Sequence, residues 1–557
     1  MKEILKRDWP YAILIVVLVV LSVLSVGLLR FGFFTAYDEA YFLLKLQEAY
    51  DMSCITGKSQ WNLIAIHWFP YLDLTSKVNS FLASNILSWF TILVMTITCC
   101  AIYDKGRALR YFALIFLFYF AVETDGLSYI SMQMAVLCWA LCSFMLFQHC
   151  QKKWEKCLFA GLCGFCLGLS CFIIIPAAIL VLASIAFLIM VLYWKQKREM
   201  FLFLGSGIVG AFLTMAYMHF CVCDLRQIID AMGFAAKYIT KSGYGYDGMS
   251  FIIQYGLFFK DCLFALLAFV GSFYLSKLFK SKYFGTIAYV LILVVYSHFQ
   301  EEPVVTNPML LASVAIIPLL FSDSASFSGK TLLLPKTWVY LFLLVFPLLA
   351  SFGTNTSIGV RISCFVISWL FIWFDIEQNN SMKDESRVMI GVAVLYLIPL
   401  ASVVRDYQNR DDSFHFTRGN KYFAEIALTE KQADYFNRVY DILEDYNYQP
   451  KQSTILTACY DYCCLYAFDA VNAANYHQSQ NFRFFPKEKM IEPDFIFICK
   501  LDSIVMGKDL LEMPWGWPED YDEYYVGTPE PDDAPWLIYP ELEKRKLYCR
   551  KSLKNKK

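Results

Sequence analysis

The chain has 557 residues, of which 58% are hydrophobic, 18% aromatic and only 17% charged, and its mean hydropathy is +0.46. A soluble globular protein carries a larger charged fraction, so this composition excludes that class and indicates a polytopic α-helical membrane protein. The net charge of −1 leaves no dominant basic surface, so no nucleic-acid partner is expected.

Thirteen apolar runs are predicted to cross the membrane, because a helix needs roughly 20 residues to cross about 30 Å of hydrocarbon. Pro176 divides the longest run into two, since proline removes a backbone donor and interrupts a helix. The predicted spans are 11–30, 80–103, 111–123, 129–149, 157–174, 175–194, 201–222, 262–279, 283–299, 309–322, 338–353, 360–376 and 388–404.

Lysine and arginine cluster in alternate connections, in "KEILKR", "DKGRALR", "QKKWEK" and "KQKR". By the positive-inside rule these connections are cytoplasmic, so the N-terminus is cytoplasmic. An odd number of spans then puts the C-terminal tail on the outer side. The first apolar run is expected to stay as an uncleaved anchor, because no small-residue cleavage site follows it.

The first outer segment, residues 31–79, contains two amphipathic stretches, "AYFLLKLQEAY" and "WNLIAIHWFPYL". Their aromatic residues favour the membrane interface. Both stretches are therefore predicted to be helices that lie at the outer membrane surface.

The composition changes at residue 405, which divides the chain into a membrane domain (1–404) and a soluble extracytoplasmic domain (405–557). In this tail "STILTACY" and "DFIFICK" are predicted to be buried strands, with a helix in "CCLYAFDAVNAAN" between them, so a small α/β domain is expected. Five tail cysteines leave room for a disulfide whose pairing the sequence does not choose. The tail has no N-x-Ser/Thr site, which favours a bacterial inner membrane.

Acidic residues recur where outward-going helices are predicted to end. Moving an ionisable group to membrane depth costs about 2.5 to 3.5 kcal/mol on insertion scales, so such groups tend to face cavities. Three acidic segments in one bundle favour a polar cavity at the outer face over simple solvation, which is the alternative for each segment. The segments are "YDEAY" with Asp38 and Glu39, "AVETDGLSY" with Glu123 and Asp125, and "YSHFQEEPVVTNP" with His298, Glu301, Glu302 and Asn307.

This arrangement resembles the GT-C glycosyltransferases, which include protein O-mannosyltransferases, aminoarabinose transferases and oligosaccharyltransferases. "YDEAY" is similar to their first-loop acidic motif, and Glu123-Thr124-Asp125 resembles the second acidic motif of the oligosaccharyltransferases, although the WWDxG signature is absent. The resemblance implies a GT-C-like fold and a sugar donor linked to polyprenyl phosphate. It also implies that Asp38, beside Glu39, is the general base of an inverting transfer.

The lipid phosphate that leaves in such a reaction needs cationic partners. Arg361 is the strongest candidate, because it follows "SFGTNTSIG" at a membrane boundary where an unpaired arginine is costly. The "SGYGYDG" run, which contains Tyr244, is predicted to be a loop able to cover a bound sugar. The other candidate cations, for each of which ordinary solvation is the alternative, are Lys58, Arg226, Lys237 and Lys241.

Two questions stay open at the level of sequence. Asp38, Glu123 and Asp125 would either hold a divalent cation, magnesium or manganese rather than zinc, or only position the acceptor. The acceptor itself would be a lipid, a glycan or a protein. The alternative function is that of a transporter or of a lipid or polysaccharide flippase, which is less favoured because no matching halves are present and the charges gather at the outer face.

Overall fold

The structure is a computed structural model, and the residues that it describes are mostly helical with one small β-sheet. Within the residues that it describes, five helices are long and apolar enough to cross a membrane. The predicted spans 309–322 and 388–404 lie outside these residues, so the total of thirteen stays a prediction. The described residues are 2–28, 38–50, 60–120, 126–230, 335–352, 366–379, 414–457, 462–473, 491–498, 517–527 and 545–554, with single positions between 260 and 295.

The helices of the membrane part follow the predicted apolar runs, with α2 and α3 in the first outer segment. The five that meet the length and hydropathy of a membrane span are α4 and α6 to α9, where a π-helical turn extends α9 to residue 222. The bounds are α1 (Lys2–Leu28), α2 (Asp38–Tyr50), α3 (Trp61–Trp68), α4 (Lys77–Ile102), α5 (Ala108–Phe120), α6 (Tyr129–His149), α7 (Lys153–Ile173), α8 (Ile175–Tyr193), α9 (Lys197–Tyr217), α10 (Pro335–Ala350) and α11 (Trp369–Asn379).

Helix α1 bends near its start. Asp8 has the non-helical angles φ −109° and ψ 18°, and Pro10 follows it inside the helix. Proline causes such a bend because its ring removes a backbone donor and clashes with the preceding turn. The Asp8 side chain is buried and lies 3.3 Å from the Arg110 guanidinium of α5, so a buried ion pair joins the two helices.

Helices α7 and α8 are separate, as the position of Pro176 predicts. Helix α7 ends at Ile173, Ile174 is extended with φ −139° and ψ 98°, and α8 begins at Ile175. Proline in the first turn of α8 is tolerated because the backbone donor that it lacks would have no intrahelical partner there.

Helices α7 and α9 approach each other through glycines. A Cβ atom added at Gly164 would lie 2.0 Å from the Gly207 carbonyl oxygen, and one added at Gly210 would lie 1.9 Å from the Gly161 carbonyl oxygen. Small residues allow this approach, which gains van der Waals contact in a medium where the hydrophobic effect does not drive helix association. The two backbones are therefore in direct contact.

The tail contains a five-stranded sheet in the order β2-β1-β3-β5-β4. Strands β2, β1 and β3 are parallel, whereas β5 runs antiparallel to both β3 and β4. The strands predicted in "STILTACY" and "DFIFICK" are confirmed as β1 and β3. The strands are β1 (Thr454–Thr457), β2 (Val471–Asn472), β3 (Phe495–Ile498), β4 (Tyr521–Tyr525) and β5 (Lys546–Arg550), and the helices that pack on them are α12 (Glu430–Asp445) and α13 (Tyr462–Phe468).

The helix predicted in "CCLYAFDAVNAAN" is shorter than the pattern indicates. It ends at Phe468, because Asp469 adopts φ +58°, a left-handed conformation that terminates a helix. The chain then continues as the short strand β2. Of the five tail cysteines, Cys463, Cys464 and Cys549 are buried, and the other two lie outside the described residues.

One polar cluster stabilises the outer edge of this sheet. The Tyr446 hydroxyl at the end of α12 donates a hydrogen bond to the Asp522 carboxylate of β4, and the Lys554 ammonium lies 3.0 Å from the same carboxylate. These two hydrogen bonds outweigh the effect of burial and hold the pKa of Asp522 below its ordinary value. The cluster therefore favours the charged form of Asp522.

Candidate functional site

Asp38 and Glu39 are the first two residues of α2. Their side chains lie outside the described part of the structure, so their predicted roles stay predictions. The same holds for Glu123, Asp125, Arg361, Lys241, Tyr244, Lys58, His298, Glu301, Glu302 and Asn307. The site is therefore built from the described residues that surround these positions.

The side of α2 that faces the membrane bundle is anchored by Phe42. Its ring lies edge-on to Trp61 of α3, with the centroids 6.0 Å apart, and edge-on to Tyr129 at the start of α6, at 5.7 Å. Close by, Ser80 of α4 accepts a hydrogen bond of 3.0 Å from the Leu127 backbone. The N-terminal ends of α3, α4 and α6 and the Phe42 side chain of α2 thus meet in one place.

Two lysines are buried in this region. Lys45 of α2 is 2% exposed and Lys77 at the start of α4 is 3% exposed. The Lys45 carbonyl accepts a hydrogen bond of 3.0 Å from the Asn62 side chain, which ties α2 to α3. Burying an ammonium group costs free energy unless polar or charged groups surround it. These two buried lysines therefore mark parts of the first outer segment where a negatively charged group would be favoured.

Sequence reasoning missed Lys45 because the whole stretch around it was interpreted as an interfacial helix. The stretch is helical, as predicted, but Ala40 and residues 42–46 are buried by protein rather than spread on a surface. The signal that could have found Lys45 is its spacing, seven residues after Asp38, because positions i and i+7 share a helix face. By contrast Arg226, a candidate cation, is exposed.

Two buried amides mark the junction of α3, α6 and α7. The Gln60 backbone N–H donates a 2.7 Å hydrogen bond to the Phe172 carbonyl, and the Gln133 side chain donates one of 2.7 Å to the Ser170 hydroxyl. Gln60 Nε2 and Gln133 Oε1 are buried without a hydrogen-bond partner. One donor and one acceptor are thus available to a polar ligand such as a hydroxyl group.

A carboxylate in the loop between α3 and α4 has a structural role. Asp73 Oδ1 accepts a 2.6 Å hydrogen bond from the Thr75 hydroxyl, and the Tyr422 hydroxyl of the tail donates to Oδ2. Burial by itself raises the pKa of Asp73, but the hydrogen bonds from Thr75 and Tyr422 outweigh it and lower the pKa. A carboxylate held in its charged form in this way is a poor general base and a good anchor for the tail.

The described residues contain no group of three or more His, Cys, Asp or Glu side chains that could hold a metal ion. The predicted cation ligands, Asp38, Glu123 and Asp125, have side chains outside this part of the chain. The divalent cation therefore stays a prediction.

No protein-family model matches the chain, and no curated protein sequence matches it. Among solved structures, the chain is similar to a crystal structure of ArnT from Cupriavidus metallidurans bound to undecaprenyl phosphate. The two are 12% identical, the match covers 99% of this chain and 100% of that one, and the TM-score is 0.45. The likeness is one of general outline, so a function for this chain rests on its own residues.

Proposed function

We propose that this chain is an integral membrane glycosyltransferase of about thirteen spans in a bacterial inner membrane, with a cytoplasmic N-terminus and an extracytoplasmic tail. It moves a sugar from a polyprenyl-phosphate donor in the bilayer to an acceptor on the outer side. Five apolar helices of membrane length support the membrane part of the proposal, and the "YDEAY" motif supports the transfer.

The observation that carries the proposal is the contact between Phe42 and Tyr129. Asp38 precedes Phe42 by one helical turn in α2, and Asp125 precedes Tyr129 by four residues. Four peptide units span at most about 15 Å, so the contact limits how far apart the two acidic segments can lie. Two acidic motifs that are distant in sequence are thus available to one reaction centre.

The chemistry requires a base, a cation and hydroxyl-binding groups. Asp38 takes the proton of an acceptor hydroxyl, whose oxygen forms a bond to the anomeric carbon while the bond from that carbon to the phosphate oxygen breaks. The leaving phosphate keeps the electron pair. Lys45, which by the helical repeat shares a face with Asp38, and Arg361 would stabilise its charge.

The buried amides at the outer end of α7 suit the sugar. Gln60 Nε2 can donate a hydrogen bond to the oxygen of a sugar hydroxyl, and Gln133 Oε1 can accept one from a sugar hydroxyl. Both amides lie at the junction that Phe42 joins to α2 through Trp61. A site that pairs buried amides with hydroxyls discriminates strongly against sugars that lack the hydroxyl, because the amide would be left unpaired.

The divalent cation is proposed as one of two roles for Glu123 and Asp125. Magnesium or manganese would be held by these carboxylates together with Asp38, since hard cations prefer oxygen ligands. In the other version the same carboxylates only position the acceptor. A transfer rate that is unchanged by a chelator would exclude the version with a divalent cation.

The test is Asp38→Asn, which keeps the size of the side chain but removes its ability to accept a proton. Transfer of labelled sugar from a polyprenyl-phosphate donor, measured in membranes that contain the acceptors, should fall by on the order of 10²- to 10⁴-fold. Glu39→Gln is the matched control and should lose less, because neighbouring helix positions point about 100° apart. Transfer at the parental rate by Asp38→Asn, with a well-expressed protein, would refute the assignment.

A further inference from the structure

Helix α2 belongs to two hydrophobic cores at once. Phe42 and Leu46 are buried in the core of the membrane bundle, whereas Ala40, Leu43 and Leu44 are buried in the core of the tail. The second set has the spacing i, i+3, i+4, which places it on one side of the helix. The tail therefore covers one face of α2 while the bundle covers the other.

The tail helix that covers α2 is α13. Its residue Tyr466 is fully buried, and the Tyr466 hydroxyl donates a 2.5 Å hydrogen bond to the Thr75 carbonyl in the loop before α4. The bond joins residues that are 391 positions apart in the sequence. It holds α13 against the first outer segment beside α2.

A second polar contact joins α2 itself to the end of α13. The Gln47 side chain donates a 2.9 Å hydrogen bond to Asp469 Oδ1. Gln47 continues the stripe of Ala40, Leu43 and Leu44 at position i+7, so apolar and polar contacts with the tail lie on one face. The Asp469 side chain is only 12% exposed, and the Lys451 ammonium is 3.8 Å from its other oxygen.

A helix of 13 residues is marginal by itself in water, because nucleation is costly and few hydrogen bonds follow. The position of α2 thus depends on what packs against it. Removing the tail contacts would leave one face of α2 without its apolar partners, and its first turn, which begins with Asp38, would be held relative to α6 only by the bundle contacts of the opposite face.

We propose that the tail is the positioning element for α2, and that Asp469 and Tyr466 are positioning residues for the transfer reaction. This inference rests on the proposed function, in which Asp38 is the base. A base acts only within hydrogen-bond reach of the acceptor hydroxyl, so a small displacement of α2 reduces the rate by more than it weakens donor binding, which also involves Arg361 outside α2. The tail thus contributes to catalysis without touching the substrate.

The test exchanges the donor and the acceptor of the hydrogen bond between Gln47 and Asp469. Gln47→Glu places a carboxylate against a carboxylate in a partly buried contact and should break it. Asp469→Asn tolerates the left-handed conformation, and in the double variant its amide can donate to the new carboxylate. The double variant should therefore recover what Gln47→Glu loses. Gln452→Glu, an exposed position in the same domain, is the matched control.

Hydrogen exchange of the backbone amides of residues 38–50, measured by mass spectrometry on the full-length protein in lipid nanodiscs, reports the position of α2 without any substrate. Gln47→Glu should accelerate exchange there by about 10- to 100-fold, which corresponds to the loss of a hydrogen bond to a charged group. The amides of α12 should keep their rates, which shows that the tail stays folded. The double variant should return to within a few-fold of the parental rate.

The transfer rate should follow the exchange rate. In Gln47→Glu the turnover should fall by a larger factor than the KM for the polyprenyl-phosphate donor rises, and the double variant should recover both. The inference would be overturned if the amides of residues 38–50 exchanged at the parental rate in Gln47→Glu, or if the double variant did not recover the parental exchange rate. Because exchange needs no substrate, an inactive parental protein would overturn the proposed function instead. The two failures are therefore distinguishable.

Discussion

The close packing of α7 on α9 makes one substitution informative. In Gly210→Ala the new Cβ atom would lie 1.9 Å from the Gly161 carbonyl oxygen. An ordinary contact is at least 3.4 Å, so the two helices would have to separate by roughly 1.5 Å. The obstacle is backbone, which cannot change rotamer. Separation would also stretch the 2.7 Å hydrogen bond from the Thr214 hydroxyl to the Phe165 carbonyl.

The size of the effect follows from a comparison with Gly205→Ala on the same helix. A Cβ atom at Gly205 meets nothing within 4 Å, so this variant should show only the helix propensity of alanine, a gain of up to about 1 kcal/mol. That gain is common to both variants. The difference between them isolates the overpacking of α7 on α9, about 1 to 3 kcal/mol, with Gly210→Ala the less stable protein.

The assay is thermal unfolding of the purified protein in lipid nanodiscs, followed by tryptophan fluorescence. Gly210→Ala should unfold at a lower temperature than the parental protein, and Gly205→Ala at the same or a higher temperature. Equal unfolding temperatures for the two variants would refute the reasoning, because they would mean that the backbones of α7 and α9 are not in contact.

Three further outcomes are expected. Arg110→Met removes the guanidinium that pairs with the buried Asp8 carboxylate and should lower the free energy of unfolding by up to about 3 to 5 kcal/mol, whereas adding Asp8→Leu should recover most of the loss, as thermal unfolding would show. Folding lowers the pKa of Asp522, so its charged form stabilises the fold at pH values above the unfolded pKa of about 3.9. This stabilisation is lost as the pH falls through the lower pKa of the folded protein. Asp522→Asn should therefore be less stable than the parental protein at pH 7, and the gap in unfolding temperature should narrow as the pH falls below the unfolded pKa and through the lower folded pKa. An impermeant maleimide should label Lys451→Cys on intact cells and Lys153→Cys only after permeabilisation, and the reverse result would contradict the proposed orientation.

Much of the membrane part could be predicted from the sequence, because its signals are local. Runs of apolar residues of membrane length gave the positions of α4 and of α6 to α9, and Pro176 gave the break between α7 and α8. In the tail, the strands β1 and β3 were found for the same reason: a short run of β-branched and aromatic residues is enough to indicate a buried strand.

The candidate site was predicted only in part. The motif at Asp38 is contained in a few neighbouring residues, so a sequence can show it. The burial of Lys45 cannot be read in this way, because it depends on α3 and the bundle packing over α2. Gln60 and Gln133 were missed for a similar reason, since a single amide carries no signal until its spatial neighbours are known.

By itself, the sequence determined that the chain has apolar helices of membrane length, where most of its described helices lie, and that an acidic pair follows the first apolar run. Only the tertiary structure decided that α2 lies between two cores and that the tail holds it through Gln47 and Asp469, 422 positions apart. Helix periodicity specifies which residues share a face of a helix. What covers that face depends on long-range packing, which no short stretch of sequence contains.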